Sequence, residues 1–207
     1  MSNKVAPNKV VVYVHGFRSS PASHKAQVMG QRIAALNAER NAGDQYFCPQ
    51  LPASPNESIL LLENLLRPYA PQDVTLIGSS LGGYYATWLA EKHGCRAVLL
   101  NPMTKLMPEF EQFVGVTTSF HSDEPFEFKR EYIDHLRAMS VTQITRPERY
   151  FLIAAKGDEL LDWRDMVTHY PNARQIVLEG SDHGLTGFED YLDDVLAFAD
   201  IAVPKKR

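Results

Sequence analysis

A serine between two glycines lies at the junction of a strand-like and a helix-like segment. Residues 78–82 read Gly-Ser-Ser-Leu-Gly and connect the apolar residues 74–77 to the helix-like residues 84–90. A turn that converts a strand directly into a helix strains its central residue and leaves no room for a Cβ atom where the neighbouring backbone crowds it. The glycines are two residues before and two residues after Ser80, whereas Ser79 is not flanked in this way. The pattern predicts a serine hydroxyl raised above the edge of a sheet, with Ser80 as the candidate nucleophile.

Strand-like and helix-like segments alternate along almost the whole sequence. Strand-like runs occur at residues 9–14, 45–48, 74–77, 96–100, 150–155 and 174–178, and the first of them is continuous and β-branched, as expected for a strand buried on both faces. Helical spacing predicts helices at residues 25–42, 57–67, 84–92, 162–169 and 187–199, the first of them ending at Gly43. We therefore expect an α/β fold with a mostly parallel, doubly wound sheet of about six strands. A chain of 207 residues is short for two domains, so residues 1–207 are predicted to form one.

Residues 101–147, called the insertion below, interrupt this alternation. The insertion carries six aromatic side chains among many charged ones: Phe110, Phe113, Phe120, Phe126, Phe128 and Tyr132. Loops of this length without structure are rare in compact domains. Ligands of open α/β sheets bind at the carboxyl ends of the strands, so we expect a small helical lid over these ends. The alternative is a peripheral helical excursion with a satellite core of its own.

Composition and charge narrow the functional classes. The sequence is 44% hydrophobic and 22% charged, as in ordinary globular proteins, and its net charge of −4 gives no reason to expect nucleic acid or a membrane as partner. The first predicted strand does not resemble a signal peptide. Cys48 and Cys95 lack metal-ligand spacing and predict two buried thiols in a reducing cytosol, with one disulfide as the alternative. Residues 205–207, Lys-Lys-Arg, are interpreted as a solvated chain end.

A serine nucleophile needs a general base, and the base needs an acid that orients it. On such a sheet the acid and the histidine are expected in this order, on loops after later strands. Residues 156–159 read Lys-Gly-Asp-Glu after the fifth predicted strand, and residues 180–184 read Gly-Ser-Asp-His-Gly after the sixth. We predict His183 as the general base and Asp158 as the acid that fixes its tautomer.

Three nearby carboxylates have competing interpretations. Glu159 and Asp162 are alternatives to Asp158 as the acid, although Asp162 is also placed to cap the helix that follows it. Asp182 is too close in sequence to His183 to orient it, and a role in the turn is sufficient. Five other histidines are interpreted as surface or core residues: His24, His93, His121, His135 and His169.

Acyl transfer also requires N–H donors for the negative charge that develops on the carbonyl oxygen. One expected donor is the main-chain N–H of Leu81, the residue after the candidate nucleophile. The other is expected in the loop after the first strand, where His15, Gly16 and Phe17 stand, and the predicted donor is the N–H of Phe17. Taken alone, His15-Gly16 is equally compatible with an ordinary turn at the end of a strand.

The sequence resembles the α/β-hydrolase superfamily and, within it, the small bacterial YqiA-type esterases. The resemblance extends from the first strand to the last helix and is carried by residues 15–21, 49–52, 78–89, 101–102, 157–159, His183 and 186–191. It implies a compact hydrolase that lacks the usual first two strands, carboxylic-ester hydrolysis, and a triad of Ser80, Asp158 and His183. Residues 103–146 and the basic tail depart from the family pattern.

The predicted function is that of a serine hydrolase acting on small-molecule acyl esters through an acyl-enzyme, without a metal or organic cofactor. Thioesters and activated amides fit the same mechanism. A non-catalytic binding protein on the same scaffold is the alternative from another class. A protein-interaction role of the insertion is compatible with catalysis.

Overall fold

Six parallel strands form the centre of the molecule. The computed structural model describes residues 8–118 and 125–204. These residues contain eight strands: β1 (Val10–Val14), β2 (Gln45–Phe47), β3 (Val74–Ser79), β4 (Arg96–Leu100), β5 (Gly115–Thr118), β6 (Pro125–Phe128), β7 (Tyr150–Ala155) and β8 (Arg174–Leu178). In the described part of the chain, β1 is the first strand.

The same residues contain six α-helices: α1 (His24–Arg40), α2 (Pro55–Leu66), α3 (Leu81–His93), α4 (Glu131–Ala138), α5 (Trp163–His169) and α6 (Leu192–Phe198). The first and the last helix differ from the sequence-based expectation in ways that have a structural cause. Helix α1 stops at Asn41, which adopts the left-handed conformation with φ 51°, so the prediction of Gly43 as the stop was wrong. The predicted last helix is divided into a 3₁₀-helix, Phe188–Tyr191, and α6.

The order of the strands creates a crevice at one point of the sheet. The six-stranded sheet has the order β2-β1-β3-β4-β7-β8, and every pairing in it is parallel. The chain moves outward from β1 to β2 and then returns to form β3 on the other side of β1. The carboxyl ends of β1 and β3, with Val14 opposite Gly78, therefore form the switch point where such sheets bind ligands.

Helices cover both faces of the sheet, as predicted for a doubly wound fold. Helices α1 and α6 pack on one face, and α2, α3 and α5 pack on the other. All five residues of Val10–Val14 and all six of Tyr150–Ala155 are buried, which explains their continuous apolar sequence. Burial of these faces is the main driving force for folding.

The insertion is mixed in structure and not only helical. It contains a 3₁₀-helix (Pro108–Phe113), the antiparallel pair β5–β6, and α4. On β6, Phe126 and Phe128 point to one face and the exposed Glu127 to the other, an alternation typical of a strand. Its buried residues join the core on the α3 face, where the Tyr84 hydroxyl donates to the Leu136 carbonyl, so the satellite core is not found. Phe120 and His121, like residues 205–207, lie outside the described residues.

Two remaining expectations concern membranes and thiols. Among residues 8–118 and 125–204, every helix is too short or too polar to cross a membrane. Cys48 and Cys95 are both free, so the alternative of a disulfide between them is not found, and of the two predicted buried thiols Cys95 is buried whereas Cys48 is only partly buried. Burial raises the pKa of the Cys48 thiol to about 11 and that of Cys95 to about 12. The cytosolic location stays a prediction.

Candidate active site

Ser80 occupies a strained turn between β3 and α3. Its backbone angles are φ 54° and ψ −121°, a conformation that costs a residue with a side chain about 1–3 kcal/mol. Main-chain hydrogen bonds hold it there: its N–H donates to the Leu100 carbonyl at 3.2 Å, and its carbonyl accepts from the N–H groups of Gly83 at 2.9 Å and Met103 at 3.0 Å. The turn is therefore held by its own helix and by the adjacent strand β4.

The two flanking glycines are required by close backbone contacts. A Cβ atom placed on Gly78 would lie 2.4 Å from the Gly82 carbonyl oxygen. A Cβ atom on Gly82 would lie 1.9 Å from the carbonyl oxygen of Val14, at the end of β1. Because both neighbours are main-chain atoms, they cannot move aside as a flexible side chain can. The spacing of the glycines thus follows from the approach of α3 to the ends of β1 and β3.

The structure brings the three predicted triad residues into contact. His183 Nε2 lies 3.0 Å from Ser80 Oγ, and His183 Nδ1 lies 3.0 Å and 2.9 Å from the two carboxylate oxygens of Asp158. The Asp158 side chain is fully buried, and 19% of the His183 side chain is exposed. Since a carboxylate only accepts, the network assigns the proton to Nδ1 and leaves the Nε2 lone pair facing the serine hydroxyl.

Asp158 and Glu159 have different partners. Asp158 Oδ1 also accepts the N–H groups of Leu160 and Leu161, each at 2.9 Å, which fixes the carboxylate beside the imidazole. Glu159 Oε2 accepts the main-chain N–H of His183 at 3.0 Å. Glu159 is exposed and therefore supports the loop from outside. Of these two carboxylates, only Asp158 meets Nδ1.

The other two carboxylates have the structural positions expected from sequence. Asp162 is the N-cap of α5, and its carboxylate accepts a main-chain N–H of the first turn at 2.9 Å. Asp182 accepts both the N–H of Thr186, at 3.0 Å, and its hydroxyl, at 2.8 Å. These hydrogen bonds lower the pKa of the Asp182 carboxyl and close the turn that contains His183.

Asn101 connects the loops of the acid and the base, and sequence analysis assigned it no role. It follows β4, is fully buried and has φ 42°. Its Oδ1 accepts the Ala155 N–H at 2.8 Å, and its Nδ2 donates to the carbonyls of Asp182 at 2.9 Å and His183 at 3.3 Å. The available signal was an asparagine directly after a strand that ends in four apolar residues, where a buried amide needs several partners.

The loop after β1 lies directly against the candidate nucleophile. A Cβ atom on Gly16 would lie 3.2 Å from Ser80 Cβ and 3.8 Å from Oγ. The buried His15 Nε2 accepts the Leu51 N–H at 3.1 Å, so its Nδ1 carries the proton and donates to the Gly16 carbonyl at 3.0 Å. His15-Gly16 is therefore part of the site and not a remote turn.

The two predicted oxyanion donors belong to residues that line the same cavity as Ser80 and His183. Leu81 is the first residue of α3, so its N–H has no partner within the helix and lies at the positive end of the helix dipole. Phe17 follows Gly16 in the loop that faces Ser80. Both positions are suitable for stabilising negative charge beside the serine hydroxyl.

The cavity beside Ser80 has a volume of about 460 Å³, within the usual range for small-molecule sites. Its lining is mainly apolar, and the insertion supplies five of the thirteen lining residues. The polar side chains in the lining, apart from Ser80 and His183, are Arg18, Gln112 and Glu159. The apolar side chains in the lining, apart from Phe17 and Leu81, are Met103, Met107, Phe110, Phe113, Leu160 and Leu161.

One further charged group supports the histidine loop. The Lys25 ammonium of α1 donates to the Gly184 carbonyl, next to His183. Burial lowers the pKa of Lys25, and the negative charges of Asp182 and Asp158 oppose this effect. Across the described residues, no group of three or more His, Cys, Asp or Glu side chains is arranged to hold a metal ion.

Several solved structures have a similar fold. A protein from Agrobacterium vitis aligns with a TM-score of 0.69 and 18% identity over 94% of this chain and 88% of its own. Est1E from Butyrivibrio proteoclasticus, solved with ferulic acid bound, aligns with a TM-score of 0.65 and 11% identity over 96% of this chain and 89% of its own. The esterase domain of a Rhodothermus marinus protein aligns with a TM-score of 0.63 and 18% identity over 96% of this chain and 88% of its own. At these identities the likeness concerns the fold, which is that of the α/β hydrolases.

A family model also matches the sequence over most of its length. The model of a family described as "Uncharacterised protein family (UPF0227)" matches residues 10–200. This range includes the strained turn, the loops of Asp158 and His183, and the insertion. It also confirms the assignment to the YqiA-type branch of the α/β hydrolases. The chain therefore belongs to the UPF0227 family.

Proposed function

We propose that this protein is a serine hydrolase that cleaves small carboxylic esters through an acyl-enzyme. The observation that carries the proposal is the position of His183 between two partners. Its Nε2 is 3.0 Å from the Ser80 hydroxyl, and its Nδ1 is 2.9 Å from the buried Asp158 carboxylate. This is the arrangement that a serine hydroxyl needs to become a nucleophile at neutral pH.

In the first half of the reaction, Ser80 Oγ attacks the ester carbonyl while His183 Nε2 takes the hydroxyl proton. Asp158 stabilises the resulting imidazolium through the hydrogen bond to Nδ1. The N–H groups of Phe17 and Leu81 stabilise the oxyanion. The tetrahedral intermediate then collapses, the bond to the alcohol breaks, and His183 donates its proton to the leaving oxygen.

In the second half, water attacks the acyl-Ser80 carbonyl and His183 takes one of its protons. The same N–H groups stabilise the second tetrahedral intermediate. Its collapse releases the carboxylic acid, and the proton on His183 returns to Ser80 Oγ. Each cycle therefore consumes one ester and one water, yields one alcohol and one acid, and leaves the chain unchanged.

The lining of the cavity beside Ser80 favours substrates with an apolar acyl group. Its methionine, leucine and phenylalanine side chains offer more contact to a hydrocarbon than to a charged group. Est1E, with its similar fold, has been solved with the carboxylic acid ferulic acid. This supports an ester of a carboxylic acid as the substrate class.

A chain-length series of p-nitrophenyl esters and matched thioesters tests the proposal. We expect Ser80→Ala to lower ester turnover at least about 10³-fold, because the nucleophile is removed. Ser79→Ala is the matched control, since this neighbouring serine lies on β3 and does not meet His183. We expect it to retain turnover within severalfold. Equal turnover by the wild type and Ser80→Ala would refute the mechanism, and faster cleavage of the thioesters would reassign the substrate class.

A further inference from the structure

The ring of Phe17 lies at the centre of an aromatic cluster. Its centroid is 5.4 Å from that of Phe110 and 5.2 Å from those of Phe113, Phe126 and Phe128. All four rings belong to the insertion. We call these four residues the aromatic clamp. The residue that contributes the clamped ring is also the residue whose main-chain N–H is the predicted oxyanion donor.

The aromatic clamp is anchored in the core. Phe128 and Phe110 are almost fully buried and belong to the core on the α3 face. Three of the four contacts to Phe17 are edge-on, with interplanar angles of 61°, 87° and 85°. Aromatic rings prefer this geometry because the positive edge of one ring meets the negative face of the other. The ring of Phe17 is therefore fixed in orientation as well as in position.

A second contact connects the same loop to the insertion. Arg18 has the left-handed φ of 60°, and its Nε donates to the Thr118 carbonyl of β5 at 2.6 Å. On the other side of the loop, His15 accepts the Leu51 N–H. The two residues that follow Gly16 are thus held by the insertion, while His15 is held by the segment after β2.

We propose that the aromatic clamp positions the main-chain N–H of Phe17 for the oxyanion, in addition to lining the cavity. The inference rests on the proposed function, since it concerns the oxyanion of ester cleavage. A donor must be fixed before the charge develops, and small displacements reduce its effect. A side chain held by four rings limits the φ and ψ of its own residue, and thus the direction of its N–H.

A substitution of Phe126 can distinguish the positioning of the Phe17 N–H from the binding of substrate. Phe126 contacts Phe17, but it is not among the residues that line the cavity beside Ser80. Removing its ring should therefore disturb the donor and leave the acyl site intact. A pure lid or pocket residue would instead change KM or the preferred acyl length.

The experiment compares Phe126→Leu with Phe198→Leu. Phe198 is the matched control because it is also partly buried and packs on one aromatic ring, Phe151, at 5.5 Å in the other core cluster. For p-nitrophenyl acetate we expect Phe126→Leu to lower kcat about tenfold with KM within twofold, because one oxyanion donor is misplaced and not lost. We expect Phe198→Leu to leave both constants within twofold.

Backbone ¹⁵N relaxation provides a readout that does not depend on turnover. We expect the order parameter of the Phe17 amide to fall in Phe126→Leu and to stay unchanged in Phe198→Leu. An unchanged order parameter in Phe126→Leu would overturn the proposal, and so would an equal fall of kcat in both variants. If the wild type cleaved no ester, the proposed function would fail, and the relaxation comparison would still decide whether the clamp positions Phe17.

Should Phe126→Leu fail to fold, Phe113→Leu takes its place in the relaxation experiment. Phe113 is 36% exposed, so its truncation disturbs the core less, and its ring also lies 5.2 Å from that of Phe17. The same fall in the Phe17 order parameter is expected. An unchanged value would again overturn the proposal.

Discussion

The two halves of the candidate site are held in different ways. The triad half consists of Ser80, Asp158 and His183, and polar groups at the ends of neighbouring strands fix it, with Asn101 bonded to both the acid loop and the base loop. The oxyanion half is the loop around Phe17, which is held mainly by aromatic packing from the insertion. Hydrogen bonds set distances and angles closely, whereas packing sets position through shape.

This difference separates what the sheet determines from what the insertion determines. The triad half depends on residues that follow the strands directly, so the fold itself brings them together. The oxyanion half depends on contacts from the insertion. Under the proposed function, we therefore expect changes in the insertion to alter the rate through Phe17 while Ser80, Asp158 and His183 stay in place.

The largest effect is expected at the acid of the triad half. Asp158→Asn should lower kcat by about 10⁴-fold, because an amide in place of the carboxylate favours the wrong imidazole tautomer. The control is Asp162→Asn, since asparagine is also a good N-cap for α5. Steady-state kinetics on one ester measure both variants. A loss in Asp162→Asn equal to that in Asp158→Asn would contradict the assignment of the acid.

A smaller effect is expected at Asn101, a positioning residue of the triad half. Asn101→Ala should lower kcat about 100-fold, since the His183 loop loses two hydrogen bonds and shifts. It should also lower the free energy of unfolding by about 1–3 kcal/mol, because the buried Ala155 N–H loses its acceptor.

The control for Asn101→Ala is Asn172→Ala. Asn172 also has a left-handed φ, 63°, but it is exposed and remote from the site. Denaturant unfolding and kinetics are measured on both variants. If Asn172→Ala lost as much activity as Asn101→Ala, backbone strain and not the hydrogen bonds would explain the effect.

A modest effect is expected at Glu159. Its carboxylate accepts the His183 main-chain N–H, but the side chain is exposed and water can replace it. Glu159→Ala should therefore lower kcat only a few-fold, and Glu159→Gln, which keeps an acceptor oxygen, should lower it less. Steady-state kinetics on the same ester measure kcat of both variants. A loss near that of Asp158→Asn would reassign the acid to Glu159.

The smallest effect concerns acid sensitivity of the histidine loop. Hydrogen bonds from Thr186 lower the pKa of Asp182 in the folded chain below the unfolded value of about 3.9. The stabilisation is fully present above that value and is lost as the pH falls through the folded pKa. We expect Thr186→Val, which lacks the hydroxyl donor, to lose protection of the loop amides at a higher pH than the wild type. Hydrogen exchange of the main-chain amide at position 186, with that of Phe128 as reference, measures this in both chains, and identical profiles would contradict it.

The strands and the triad order were predictable because their signals are local. The strands at residues 96–100, 150–155 and 174–178 have the same bounds in the structure, since each ends in an apolar run that turn residues follow. Ser80, Asp158 and His183 each follow a strand, so topology alone brings them to one edge. The contact that requires Gly78 is local, with Gly82, whereas the contact that requires Gly82 is with Val14 on β1 and is tertiary.

The aromatic contacts and Asn101 were not predictable in the same way. The rings of the insertion are far from Phe17 in sequence, and no periodic pattern connects them with residue 17. The pair β5–β6 has only four residues a strand, too few for the alternation around Glu127 to stand out. The amide of Asn101 bonds to loops 54 and 81 residues away, a tertiary relation that composition does not encode.

Fluorophosphonate labelling followed by peptide mass spectrometry tests most directly whether Ser80 is an activated nucleophile. We expect a single adduct on the peptide that contains Ser80 in the wild type and in Ser79→Ala, and none in Ser80→Ala. Labelling should slow strongly in His183→Ala, because the base is absent. An adduct on another residue, or no adduct on the folded wild type, would contradict the proposed mechanism.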